Sequence, residues 1–363
     1  MTSIRTRTRI SPGQAVEEAL RRFFAERRTE AEGIGAACAD VVDDLENYVL
    51  RGGKRVRPTF AWLGWLGAGG DEDSAVMEGV VRVGAALELF HASALIHDDV
   101  VDASPTRRGA PAAHVLFADR HRERGWNGEP ELFGTGTAIL AGDLAQGWAD
   151  DLVRRCGLPA AAHARITPVW SALRTEVLCG QLLDITAEAA GAEDLDTPRR
   201  VNRYKTASYT VERPLHLGAA IAGADDNLIT AYRAFGRDIG IAFQLRDDLL
   251  GVFGTPEETG KPSGGDLVQG KRTVLLAAAL THADTHDPHT ATLLRAGIGH
   301  PLDDDELTTL RTLITSTGAV DHVEADITRR TRRALATLHA STATDHAKQQ
   351  LTTMAVHATQ RTS

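Results

Sequence analysis

The sequence predicts an all-α protein, a bundle of helices with a metal site at its mouth. Apolar residues recur at helical spacing through most of the 363 residues. Strand-like alternation is nearly absent. Two long helical stretches end in paired carboxylates, and each is followed by a Gly/Pro-rich loop.

Ser11 caps and Pro12 starts a helix over Gly13–Arg28. A second covers Ala36–Arg51 and stops at Gly52-Gly53, and Pro58 opens a third to Gly67. Ser74 caps a long helix to Val101, with Val76, Val80, Val83, Leu87, Phe90 and Ala94 as its apolar positions. Ala103–Glu131 reads as a loop, and a connection that long usually carries function or is disordered. Helices are then expected over Thr135–Arg155, Ala160–Ala189, Pro198–Ala222, Asn227–Phe253, Lys271–His282, Asp303–Ser316, Ala319–His339 and Thr342–His357. Thr255–Gly270 is a second loop, directly after the second acidic cluster.

The net charge of −9 excludes a broad basic surface for nucleic acid. A polyanion would have to be held by local Arg, Lys and metal. Cys38, Cys156 and Cys179 have no paired spacing and read as buried small hydrophobes in a reducing compartment. Met1–Ile10 lacks the apolar core of a signal peptide, and no run of 18 apolar residues predicts a membrane span. A cytoplasmic protein is expected.

The acidic clusters carry the chemistry. The first reads His97-Asp98-Asp99-Val100-Val101-Asp102, the second Gln244-Leu245-Arg246-Asp247-Asp248-Leu249-Leu250-Gly251. On a helix Asp98 and Asp102 are i and i+4 and share a face. Gathered carboxylates repel unless a cation sits among them. Hard oxygen ligands suit Mg²⁺, which takes one or two carboxylates and completes its shell from water and phosphate. Two such clusters on facing helices would make a diphosphate site. Lysine usage agrees. Among 40 Lys and Arg only Lys54, Lys205, Lys261, Lys271 and Lys348 are lysine. The first four sit beside Gly or Thr, where a compact point charge suits phosphate.

At these residues the chain resembles the trans-isoprenyl diphosphate synthases, the polyprenyl synthetase family, over about residues 35–280. The resemblance implies mostly antiparallel helices around a deep central cavity, the type I isoprenoid synthase fold. It implies one domain over 1–363, with C-terminal helices at about 285–358. The implied reaction joins isopentenyl diphosphate to an allylic diphosphate with about three Mg²⁺ ions, in a homodimer. Asp98, Asp99 and Asp102 match the first aspartate motif, and Asp247 and Asp248 the second. Gly53, Lys54, Arg57 and His91 match the isopentenyl diphosphate site. Arg107 matches a contact to the allylic diphosphate and Arg108 one to the isopentenyl diphosphate. Lys205, Thr206, Gln244 and Lys261 match the ionisation site, while Gln181 and Asp184 match a further segment. Gly251 departs from the pattern, which often has a third aspartate there.

Product length in such a fold depends on what blocks the cavity beneath the first motif. Ser93 and Ala94, one turn from Asp98, are small, and Phe90 is the next large residue on that face. One turn rises about 5.4 Å, close to one extended isoprene unit. A C20 geranylgeranyl product is therefore expected, with C25 or longer as the competitor. A class I terpene cyclase would need an Asn/Asp–Ser/Thr–Glu motif in place of Asp247-Asp248, which the segment Asn202–Glu212 lacks. A non-catalytic subunit would be expected to have lost acidic residues.

Overall fold

The computed structural model describes residues 11–107, 109–255 and 263–360. They are helical but for one two-stranded hairpin and the connecting turns. The chain divides into two compact units, one of Met1–Trp62 with Asp71–His163, the other of Leu63–Gly70 with Ala164–Ser363.

The first unit holds α1 (Pro12–Ile34), α2 (Ala36–Leu50), the start of α3 (Val56–Gly67), α4 (Val76–Val101), α5 (Ala113–Glu123) and α6 (Pro130–Arg154). Ser11 starts α1 with a reciprocal cap: its side chain accepts from Gln14 N–H, and the Gln14 side chain accepts from Ser11 N–H. Phe23 and Phe24 then meet Trp148 of α6 edge-on, at 5.9 and 6.2 Å between ring centroids. The core helix is α4, which buries Val83, Leu87, Leu89, Phe90 and Ile96. Among the described residues it alone is long and apolar enough to cross a membrane, but 78% of its most apolar window is buried inside the protein. That burial marks a helix apolar nearly all round because it sits at the centre of a core.

The stretch expected as a loop, Ala103–Glu131, contains real structure. Thr106–Arg107 (β1) pairs antiparallel with Ala110–Pro111 (β2), and α5 follows. Gly109, at φ 72°, supplies the left-handed residue that so tight a return needs. Pro105, Gly109 and Pro111 read as loop punctuation, and α5 mixes too many charges among its apolar positions to stand out.

The second unit holds α7 (Ala160–Ala189, its first residues lying in the other unit), α8 (Asp196–Val201), a π-helix (Asn202–Glu212), α9 (Arg213–Ala222), α10 (Asp226–Phe253), α11 (Gly265–Val268), α12 (Val274–His286), α13 (Pro288–Gly297), α14 (Asp304–Ser316), α15 (Ala319–Ala340) and α16 (Asp345–Thr359). The single helix expected over Pro198–Ala222 is thus three segments. Arg213 N–H reaches back five residues to Ser208 O, and Pro214, which has no N–H, then falls in the first turn of α9, where none is needed. The wider π turn bulges toward its neighbours, and glycines make room. A β-carbon on Gly180 of α7 would lie 2.3 Å from Lys205 N, and one on Gly240 of α10 would lie 2.5 Å from Ala207 Cα.

Residues of α10, α12, α14 and α15 close a core that includes Leu245, Leu249, Leu275, Leu280, Ile314 and Val323. Polar clamps fix α10 to the C-terminal helices. Arg246 donates to both carboxylate oxygens of Glu324 at 2.5 and 2.7 Å, and its Nε donates to Thr359 O at 3.2 Å. Arg333 Nε donates to the buried Asp238 at 2.6 Å. The three cysteines are free thiols. Cys156 is buried as expected, but Cys38 and Cys179 lie at the surface.

Gly240→Ala is expected to cost about 1–3 kcal/mol through overpacking against the π-helix. A denaturant titration checks this.

Candidate active site

In the first unit, α4 carries Asp98, Asp99 and, as its C-cap, Asp102. Asp102 N–H donates to Asp98 O at 2.8 Å, and Ser104 N–H to Asp99 O at 2.9 Å. Ala103, at φ 49°, turns the chain into the hairpin. The hairpin then brings Arg107 back onto the acids. Its Nε donates to Asp99 Oδ1 at 2.8 Å and its Nη2 to Asp98 Oδ2 at 3.3 Å.

Asp99 is fully buried, and its other oxygen, Oδ2, has no hydrogen-bond partner. Burial pushes its carboxyl above the usual range, the Arg107 guanidinium opposes this, and the charge of Asp98 adds to it. His91, Asp98 and Asp102 are spaced i, i+7 and i+11 along α4, so they share a face.

Ahead of α3, Gly52 and Gly53 have φ 110° and 134°, Lys54 is exposed, and Arg57 is half-buried. Arg55 is the anchor that sequence reading missed. It is buried with φ 44°, and it donates to Glu88 of α4 at 2.6 Å and to Glu17 of α1 at 3.2 Å. The turn that presents Lys54 is thereby tied to two helices. Its only sequence signal was a charged residue, Glu88, inside the apolar run of α4.

In the second unit the π-helix and α10 share a hydrogen-bond chain. Thr206 Oγ1 donates to Gln244 Oε1 at 2.8 Å, and Gln244 Nε2 donates to Asp248 Oδ1 at 2.9 Å. Asn202 Nδ2 donates to the other oxygen of Asp248 at 3.3 Å. Asn202 was not foreseen, because nothing in its neighbours marks it as polar and buried. Lys205 Nζ donates to the buried Asp184 of α7 at 2.5 Å. Gln181 lies one turn before Asp184, and Asp247 is half-buried.

Asp248 is 1% exposed, and burial pushes its carboxyl up to about 7. The charge of Lys271 and the bonds from Gln244 and Asn202 pull it down, while the charge of Asp266 pushes it further up. Phe90 and Ser93 are buried on α4, and Ala94 is half-buried. Arg108 and Lys261 lie outside the described residues.

Among the described residues no three acidic, histidine or cysteine side chains are already gathered around a point that could hold an ion. The donors nevertheless fit a hard divalent cation. They are all carboxylate oxygens, one buried oxygen of Asp99 has no partner, and the charged form of Asp248 is destabilised where it stands.

A fold of packed helices, an acid-ended α4 and a π-helix bonded to a second acid pair are thus in hand. The family model for polyprenyl synthetases matches residues 39–314. The chain is similar to a geranylgeranyl pyrophosphate synthase of Corynebacterium glutamicum, at 46% identity and a TM-score of 0.92, over 96% of this chain and 98% of that one. That protein was solved with isoprenyl diphosphate and magnesium. The chain is also 32% identical over 282 residues to a geranylfarnesyl diphosphate synthase of Aeropyrum pernix, covering 77% of this chain and 80% of that one. It is 33% identical over 279 residues to a geranylgeranyl diphosphate synthase of Mycobacterium tuberculosis, covering 76% and 72%.

The chain belongs to the polyprenyl synthetase family. It is an enzyme, a trans-prenyltransferase of the all-α isoprenoid synthase type.

Arg55→Ala should leave Glu88 buried without its cation and cost about 3–5 kcal/mol. Chemical denaturation of the purified variant measures the loss.

Proposed function

We propose that the protein joins isopentenyl diphosphate to an allylic diphosphate and releases a trans-polyprenyl diphosphate of C20 length. The observation that carries this reading is the match, at 46% identity across 96% of the chain, to a geranylgeranyl pyrophosphate synthase solved with isoprenyl diphosphate and magnesium. Residues 1–363 act as one synthase domain, a reading supported by a family match that runs through both units.

Asp98, Asp99 and Asp102, with Asp247 and Asp248, would hold about three Mg²⁺ ions, which would supply charge neutralisation to the departing diphosphate. Arg107 adds a guanidinium to the allylic diphosphate, exchanging one anionic partner for another. Lys205, steadied by Asp184, and Lys261 add point charges to the same leaving group. The allylic C–O bond breaks, and its electron pair goes to the diphosphate.

The cation left behind faces groups that stabilise charge without attacking it: the Lys205 carbonyl, the Thr206 hydroxyl and the Gln244 amide. The bond between Thr206 and Gln244 holds both in place. Gly53, Lys54, Arg57, His91 and Arg108 hold isopentenyl diphosphate, which is catalysis by orientation. Its double bond attacks the cation, and the released diphosphate takes the proton as the new double bond forms.

C20 rests on α4, where small Ser93 and Ala94 precede the larger Phe90, and on the two geranylgeranyl-producing relatives. The A. pernix relative keeps C25 as the second reading. A homodimer is supported by an exposed apolar stripe on α6, where Leu132, Leu140 and Leu144 are 73%, 64% and 39% exposed. A cytoplasmic location is supported by three thiols that form no disulfide.

Purified protein with Mg²⁺, labelled isopentenyl diphosphate and C5, C10 or C15 primers should give C20. Failure to elongate any primer rejects the proposal. Phe90→Ala should shift the product to C25 or beyond and Ser93→Phe should shorten it, both read by chromatographic sizing. Leu140→Glu should convert a dimer to monomer by light scattering, and unaltered mass would remove α6 as the interface.

A further inference from the structure

His282, His286 and His289 crowd one short stretch of the chain, and no step of the proposed reaction uses them. The first two are i and i+4 on α12, so they are neighbours on one helix face. Both line a cavity of about 350 Å³, together with Thr290 of α13 and with Ser316 and Thr317 at the end of α14. No residue of either acidic cluster takes part.

Hydrogen bonds orient both rings. Nδ1 of His282 lies 3.0 Å from Thr317 O, and Nδ1 of His286 lies 3.0 Å from His282 O. A carbonyl oxygen only accepts, so each Nδ1 carries the proton and donates. In the neutral imidazole Nε2 is then bare and keeps its lone pair. Among the described residues neither Nε2 has a hydrogen-bond partner. The Thr317 carbonyl is itself held, since Thr317 Oγ1 donates to Ile314 O at 2.6 Å and accepts from Ala319 N–H at 3.3 Å. His322 of α15 packs edge-on against the His282 ring, with 5.8 Å between centroids. Asp287 commits both carboxylate oxygens to Thr290.

An imidazole tied through Nδ1–H to a carbonyl, with Nε2 bare, is the oriented form that ligates transition metals. We infer that His282 and His286 chelate one divalent ion of the zinc class, with their Nε2 atoms as ligands and water in the remaining positions. Among the described residues no third acid, histidine or cysteine joins them, so the ion is open to solvent and exchangeable. Mg²⁺ prefers oxygen ligands, which makes this site chemically separate from the aspartates. Through His282 the ion pins the last turn of α12 to the end of α14. The competing reading is that the two rings only cap carbonyls near helix ends.

The test titrates Zn²⁺ into untagged, metal-free, full-length protein in excess Mg²⁺, which keeps the carboxylates filled. Calorimetry reads binding, and melting temperature reads stabilisation. Wild type should bind one Zn²⁺ per chain, and the ion should raise the melting temperature by mass action. His286→Ala and His282→Ala should each weaken binding about tenfold or more and abolish that rise. Exposed His300 does not line the cavity, so His300→Ala should bind as wild type does. Should His282→Ala fail to fold, His286→Ala decides, because His286 is exposed and its loss opens no core.

No Zn²⁺ uptake by the wild type, or wild-type affinity in His286→Ala, leaves the rings as helix caps and overturns the inference. An equal loss in His300→Ala overturns it too, since that outcome marks adventitious binding to surface imidazoles only.

Discussion

Carboxylates shut away from water govern this molecule. Asp99 and Asp248 each sit near the end of a long helix, fully or almost fully buried, where an isolated negative charge is costly. The protein meets that cost differently in its two units. In the first, a guanidinium swings back on a two-strand hairpin and covers one oxygen of Asp99, leaving the other without a partner. In the second, two amides bracket Asp248 and the charge of Lys271 reaches it. Under the proposed function, a divalent ion is what each of these arrangements would accept. The surrounding irregularities follow from holding them: the left-handed Ala103, the π-helix, and the glycines at 180 and 240.

The chemistry was more legible in the sequence than the geometry that delivers it. Asp98-Asp99-Val100-Val101-Asp102 and Asp247-Asp248 announce themselves because acids seldom interrupt apolar helices without cause. The scarce lysines stand out for a similar reason, against a background of arginine. The all-α class follows from periodicity repeated across many segments.

What stayed hidden depends on partners far away in the chain. Arg55 looks like one more basic residue in a basic turn until Glu17 and Glu88 are seen on either side of it. Asn202 acquires meaning only from Asp248, forty-six positions later. The π-helix has no periodic signature of its own, and helical spacing through Pro198–Ala222 concealed it. The hairpin at 106–111 is too short to show alternation, so its prolines and glycine read as plain loop.

The tie between Arg246 and the last helices changes how the chain's tail is understood. The family pattern stops at residue 314, yet the groups that grip Arg246 and Asp238 belong to residues 324, 333 and 359. The tail is a splint for the rod that bears Asp247 and Asp248. Trimming the gene to the part the family pattern spans would take away the brace along with the overhang, and the damage would surface tens of residues upstream of the cut.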